Sequence, residues 1–315
     1  MPATDLVRFG TSNLLVSRIC QGTAFRNMPR EPENFAGQKV LEYCIEAGMN
    51  FFDSSNGYGD GGSEKLLGKA IAGKRDRAVV CTKITPSQGF TKEYMNSTLN
   101  GSLKRLNTDY VDLYLLHGPD GITSAENITN SMEKFVEEGK IRYWGVSNHS
   151  ADQLIDFINI SNSNSTHFAG VEDYYNIAGD SLTKDGRSRP RMMEEEMFPL
   201  LKKHSIGMLG FSPHDMGHLI PGKQAEPGTA LESLLLVLDS VSDILGVPRS
   251  QVCIAWVLAH PEVTSALGAA ESPTHVDDNL AGAKLQLSQD VMDQLNTASI
   301  AYSNRQQVEL QQSNK

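Results

Sequence analysis

Four side chains able to handle protons stand at intervals early in the chain: Asp53, Tyr58, Lys83 and His117. A carboxylate, a phenol, an amine and an imidazole suit acid–base work on a carbonyl or an alcohol. An ammonium beside a phenol draws the phenol down from its usual pKa of ~10, a carboxylate holds the ammonium, and an imidazole orients an oxygen. Groups so far apart in sequence must be brought together by the fold. Each falls at or just beyond the end of a predicted strand, and in a parallel α/β barrel the carboxyl ends of the strands converge on one pocket.

The elements that would do this are legible. SRICQGT, FFDS, AVVCTK, VDLYLLH, IRYWGVS, GVEDYYN, IGMLGFS and VTSALGA are strand candidates, separated by helical runs. Val40, Leu41, Cys44 and Ile45 form one apolar helical stripe, and Met95, Leu99, Leu103 and Leu106 another. Strands alternating with helices predict a parallel sheet. Eight such units predict an α/β fold, a single (β/α)8 barrel, whose usual size is ~250 residues. With 315 residues, one domain spanning 1–315 leaves room for an N-terminal hairpin, its turn at Thr11 to Asn13 in LVRFGTSNLLVSR, and for extra helices. NISNSNST, 159–166, reads as a surface loop. The segment 179–196, with Lys184, Arg187, Arg189 and Arg191, reads either as a solvated loop or as a lid touching substrate.

A net charge of -10 argues against a nucleic-acid backbone or an anionic membrane as partner. The N-terminus lacks a basic segment followed by an apolar run, and no stretch approaches the ~20 apolar residues of a membrane helix. A cytoplasmic protein is the expectation, with monomer and homo-oligomer both open. Cys20, Cys44, Cys81 and Cys253 lie in apolar segments without metal-like spacing, so buried reduced thiols and no metal are expected.

Gly57, Gly59 and Gly62 satisfy G-x-G-x-x-G between a strand and a helix, the mark of a Rossmann dinucleotide fold. That fold requires a ribose-binding acid at the end of the next strand, and here that strand ends in Lys83. The glycines are better read as a tight loop presenting Tyr58.

In several blocks the chain resembles the aldo-keto reductase family, from about Leu6 to Leu295. FFDSSNGYGDGGSEKLLGKAI is similar to FDTA-x-x-YG-x-SE-x-x-LG, VVCTK to the family's lysine strand, LKRLNTDYVDLYLLHGPD to LRRL-x-x-DYVDL-x-x-xH-x-PD, and GKIRYWGVSN to GKIR-x-x-GVSN. The resemblance implies a barrel that binds NAD(P)(H) in extended form and interconverts a carbonyl (aldehyde, ketone or sugar) with its alcohol by hydride transfer. It implies that Tyr58 is the general acid/base, Lys83 tunes it, Asp53 holds Lys83 and His117 orients the substrate oxygen. For the cofactor it implies Gly22 and Thr23 at the first strand end, Ser147 and Asn148 at the nicotinamide carboxamide, and Phe211 stacked on the ring, with Asp53 close by. Ser212, Pro213 and Gly217 would follow the pyrophosphate, and Asn279 would read the adenine.

Three departures bear on what the site accepts. Glu172, in VEDYYN, stands where the family commonly has glutamine. A carboxylate accepts from the carboxamide NH2 but cannot donate to its oxygen; it would attract a proton or favour the oxidised nicotinamide. Glu271, in GAAESPTHVDDNL, stands where many relatives place an arginine for the adenosine 2′-phosphate, and His275 falls at a position that is often glutamine or arginine. A glutamate would repel that phosphate and accept from a free ribose hydroxyl, which favours NAD(H), with NADP(H) as the alternative. His149 follows GVSN where phenylalanine is common; it either lines the pocket rim with Phe25, Arg26, Tyr58 and His117 or points away. Two other functions remain open: a Schiff-base aldolase using Lys83, which requires an unpaired lysine, and a non-catalytic nicotinamide-binding partner subunit.

Overall fold

A computed structural model describes residues 5–31, 33–87, 89–164, 166–179 and 193–313. The chain opens with an antiparallel hairpin of β1 (Leu6–Arg8) and β2 (Leu15–Ser17), with Leu6 opposite Ser17 and Arg8 opposite Leu15. The barrel repeat follows: β3 (Ile19–Gly22), α1 (Phe35–Glu46), β4 (Phe51–Asp53), α2 (Gly62–Ala70), β5 (Val79–Ile84), α3 (Lys92–Leu106), β6 (Val111–Leu116) and α4 (Ala125–Glu137). It continues with β7 (Ile141–Ser147), α5 (Ala151–Asn164), β8 (Phe168–Tyr174), α6 (Phe198–His204) and β9 (Gly207–Phe211). Two helices, α7 (Ala230–Leu245) and α8 (Arg249–Leu258), precede β10 (Ser265–Gly268), and α9 (Pro273–Lys284) and α10 (Gln289–Ser313) complete the chain. Strands β3 to β10 are parallel and close in the order β10-β3-β4-β5-β6-β7-β8-β9. This is the (β/α)8 barrel with hairpin and extra helices that the alternation predicts; each barrel strand overlaps an expected segment, with β5 running one residue past AVVCTK and β8 starting two residues before GVEDYYN.

Strand periodicity divides the core into two layers. In β6, Leu113 and Leu115 point into the barrel with Cys20, Phe51, Cys81 and Leu209, whereas Tyr114 and Leu116 pack outward against helices. Both predicted helical stripes are buried, on α1 and α3. The hairpin plugs the amino end of the barrel. Phe9 is fully buried there, 5.7 Å from Phe51 edge to face, and a Cβ at Gly170 would lie 2.2 Å from its ring. With that end filled, the carboxyl end is left for the site.

One expectation fails. Residues 159–164 belong to α5 rather than to a loop, and Ser163 Oγ donates to the Asn159 carbonyl at 3.0 Å. Polar side chains on a solvent face leave the helical backbone bonds intact, so composition alone misleads there. The basic residues Lys184, Arg187, Arg189 and Arg191 lie outside the described residues. The G-x-G-x-x-G glycines serve close packing. A Cβ at Gly59, where φ is +57°, would sit 2.3 Å from the Arg30 carbonyl oxygen, and one at Gly62 would sit 2.0 Å from it.

Candidate active site

At the carboxyl end of β4 and β5 the chain buries three charges together. Alternation turns Lys83 inward from β5, as it does Cys81, and the register pairs Asp53 with Cys81 on the neighbouring strand. Lys83 donates to Asp53 Oδ1 through a short bond and to the Ser54 carbonyl at 3.1 Å, and its Nζ lies 3.1 Å from Glu172 Oε1. Lys83, Asp53 and Glu172 are all buried. Burial works against the lysine's charge, but Asp53 and Glu172 outweigh it and hold the ammonium well above the ordinary lysine range. One ammonium between two carboxylates leaves an excess of one negative charge. Glu172 responds: burial first, then the charge of Asp53, pushes its carboxyl well above the usual carboxylate range.

Tyr58 lies in the loop after β4. Its ring centroid is 5.3 Å from Lys83 Nζ, and its hydroxyl oxygen is 3.4 Å from Nε2 of His117, which follows β6. Its phenol moves in the direction opposite to the sequence expectation. Burial raises it most, and the pull of Lys83 is opposed by the charges of Asp53 and Glu172, so the net shift is upward. Tyr58 therefore keeps its proton and is poised as a donor. The His117 Nδ1 lies 3.1 Å from Ser55 Oγ, and burial with the Lys83 charge pushes the imidazole down to about 3, so it is neutral near neutrality.

The residues predicted at the carboxamide are adjacent. Ser147 ends β7, with its backbone paired to Glu172, and Asn148 takes a left-handed φ of 58°. Asn148 Nδ2 donates to the His117 carbonyl and to Ser147 Oγ, each at 3.0 Å, so the carboxamide pair and the acid–base set share one network. Two residues that sequence reasoning missed hold this network. Ser55 sets His117, and buried Asp173 accepts from the Asn148 backbone N–H at 2.7 Å. Burial pushes the Asp173 carboxyl up to about 7. The available signal was its charge at an alternate position of an otherwise apolar strand, beside Glu172.

The other predicted positions line the same end of the barrel. Gly22 ends β3, and Thr23 Oγ1 donates to the Asp53 carbonyl at 3.0 Å. Phe211 ends β9 half-buried, 5.5 Å from Tyr174 edge to face. Ser212 begins a loop in which Ser212, Asp215, Met216 and Gly217 all have positive φ, and Pro213 is buried within it. Asn279 of α9 is buried, and a Cβ at Gly268 would lie 3.3 Å from its Nδ2. His275 is exposed, its backbone N–H donating to the α9 cap Ser272.

Glu271 is occupied. It accepts from the backbone N–H groups of Arg26 and Asn27 at 2.6 and 2.8 Å and from Asn27 Nδ2 at 2.8 Å. Arg26 is exposed, and Phe25 beside it is buried. His149 turns back toward α5: Nδ1 donates to the Ser147 carbonyl at 2.8 Å, the ring meets Phe157 edge to face at 5.9 Å, and burial pushes it down to about 4. Cys20, Cys44, Cys81 and Cys253 are free and buried, and burial raises every thiol, which removes thiolate character.

The donor set fits a nicotinamide nucleotide. Ser147 and the aromatic Phe211 each end a barrel strand at the same end of the barrel, Asn148 follows Ser147, and the buried Glu172 Oε2 lacks a hydrogen-bond partner. Comparison with known proteins agrees with this. The profile described as "Aldo/keto reductase family" matches residues 18–300. A methylglyoxal reductase of Escherichia coli (strain K12) is 29% identical over 251 residues, 79% of each chain. A probable voltage-gated potassium channel subunit beta of Oryza sativa subsp. japonica is 28% identical over 302 residues, covering 86% of this chain and 88% of that one. A crystal structure of an aldo/keto reductase from Klebsiella pneumoniae in complex with NADP and acetate superposes with a TM-score of 0.76 at 29% identity, over 94% of this chain and 95% of that one.

Proposed function

Because this chain belongs to the aldo/keto reductase family, we propose that it is an NAD(P)-dependent oxidoreductase that reduces a small carbonyl compound, with Tyr58 as the proton donor. The observation that carries the reading is the contact chain Asp53–Lys83–Tyr58–His117, with Lys83 bonded to Asp53 and the Tyr58 hydroxyl 3.4 Å from His117 Nε2. When bound, the nicotinamide supplies or accepts the hydride. The chain's own residues do the rest. Neutral His117 aims the carbonyl oxygen, Tyr58 gives it a proton from the phenol that burial keeps protonated, and the Lys83 ammonium stabilises the phenolate left behind. Ser147 and Asn148 hold the carboxamide, Phe211 offers its face to the ring, and the loop Ser212 to Gly217 runs along the pyrophosphate.

Turnover followed by nicotinamide absorbance against a carbonyl and sugar panel tests this. Tyr58→Phe is expected to lower kcat/KM by about 10²–10⁴-fold, the range for a positioned acid; unaltered turnover in that variant rejects the assignment. His117 adds no limb to the pH profile near its ordinary pKa of ~6.5, because its imidazole is already neutral there.

For the cofactor we favour NADP(H). The case for NAD(H) rested on Glu271 facing the adenosine ribose, and that carboxylate is instead engaged by Arg26 and Asn27. The Klebsiella pneumoniae neighbour carries NADP. A kcat/KM ratio of NADPH to NADH below one at matched ionic strength overturns this preference.

A second reading, a nicotinamide-binding partner subunit with little turnover, is supported by the rice relative described as a channel beta subunit. Measurable turnover lost in Tyr58→Phe rejects it. The Schiff-base aldolase is disfavoured because Lys83 is held between two carboxylates.

A further inference from the structure

Glu172 stands at the one position of the acid–base cluster where a side chain has a buried polar atom without a partner. Its Oε1 lies 3.1 Å from Lys83 Nζ, while Oε2 is buried and makes no hydrogen bond. The oxygens of Asp53 and Glu172 and the Cys81 sulfur lie within 4.8 Å of one another, so two carboxylates compete for a single ammonium. Like charges that close in a buried site do not both ionise, and the carboxyl that keeps its proton becomes a donor. Asp53 has the short bond to Lys83 and is the better stabilised anion. Glu172 has the longer contact to Lys83, and its carboxyl faces that of Asp53 closely enough that a hydrogen bond between the two favours the protonated form of Glu172.

We propose that Glu172 is held as the neutral acid and that its Oε2 proton donates to the carboxamide oxygen of the bound nicotinamide. This rests on the nicotinamide-dependent reading above and deepens it. A neutral carboxyl offers one donor and one acceptor, as a glutamine amide does, so it can face a carboxamide in the same way; a carboxylate offers acceptors only. The groups facing Glu172 come from several strands: Cys20 of β3, Asp53 of β4, Cys81 and Lys83 of β5, and Tyr58 from the loop after β4. All but Lys83 carry no charge or a negative one. The surroundings therefore oppose a second anion, and burial adds to the effect.

The test is infrared spectroscopy of the full chain at a pH more than one unit above 7, where Asp173, whose carboxyl is pushed up only to about 7, has lost its proton. The cofactor-free protein should show a protonated-carboxyl C=O band that is missing in Glu172→Gln, and the wild-type band should move to lower frequency when NADPH is added. In wild type the band should not move with 2′-phospho-ADP-ribose, which lacks the nicotinamide ring; that arm needs no variant and holds even if Glu172→Gln fails to fold. Absence of the band in wild type overturns the proposal. So does a band that ignores NADPH, which would mark a proton shared only with Asp53. Failure of both NADPH and NADH to bind would instead reject the nicotinamide reading itself.

Discussion

At the scale of single residues, the cluster is governed by how many charges are buried together. Removing the central ammonium in Lys83→Met leaves Asp53 and Glu172 facing each other in a buried site, and an uncompensated buried charge costs about 3–5 kcal/mol. Urea unfolding should show that loss, and adding Asp53→Asn to the same chain should recover part of it because the carboxylate that Lys83 had paired is gone. Asp173 gives a second test. Its folded carboxyl holds a proton up to about 7, whereas an unfolded aspartate releases it near ~4. Between those values the native state binds more protons than the unfolded one, so stability falls as pH rises through that window and levels off above it. Asp173→Asn should flatten the dependence of Tm on pH there; an unchanged slope would assign it to other groups. The four side chains proposed for acid–base work stood out in the sequence by residue type and by their places at strand ends. The rise of the Tyr58 phenol was not, since a list of neighbours omits desolvation, which is the largest influence on it.

Elements place these residues with little ambiguity, since their local rules agree with the fold. Helix α3 is capped by Thr91, whose side chain accepts from the Tyr94 N–H, and its buried face is the stripe Met95, Leu99, Leu103 and Leu106. Thr91→Ala should cost about 1 kcal/mol in equilibrium unfolding with no effect on cofactor binding. Gly62→Ala is the contrasting case. The new Cβ would meet the Arg30 carbonyl oxygen at 2.0 Å, so the loop after β3 must move. Arg30 also lies with its guanidinium 6.0 Å from the Tyr58 ring, so turnover should suffer more than the unfolding midpoint. Equal losses in both would mean that the clash is absorbed elsewhere. Pattern reading failed where composition and conformation part: the serines and asparagines of 159–164 read as loop and fold as the end of α5.

Over the whole molecule, closure of the barrel depends on a seam between the first and last barrel strands. Arg18, just before β3, donates from Nη1 to the carbonyls of Val263 and Thr264 at 2.9 and 3.1 Å and from Nη2 to that of Leu258 at 2.6 Å. It ties the end of α8 and the approach to β10 back to the start of the barrel. Charge-assisted hydrogen bonds are individually worth about 1.5–3 kcal/mol, so Arg18→Ala should lower the denaturation midpoint by several times that of Thr91→Ala, with the slope against denaturant unchanged. A negligible shift would mean that strand pairing alone closes the ring. The sequence by itself determined the barrel and its hairpin and singled out the four residues proposed for acid–base work, because periodicity, strand ends and motif blocks are local and survive without coordinates. Only the tertiary structure decided what surrounds them: that Lys83 is shared by Asp53 and Glu172, that Asp173 holds Asn148, and that Glu271 is bound by Arg26 and Asn27. Those facts depend on distance and burial between residues far apart in the chain, which set electrostatic energies and which no local pattern encodes.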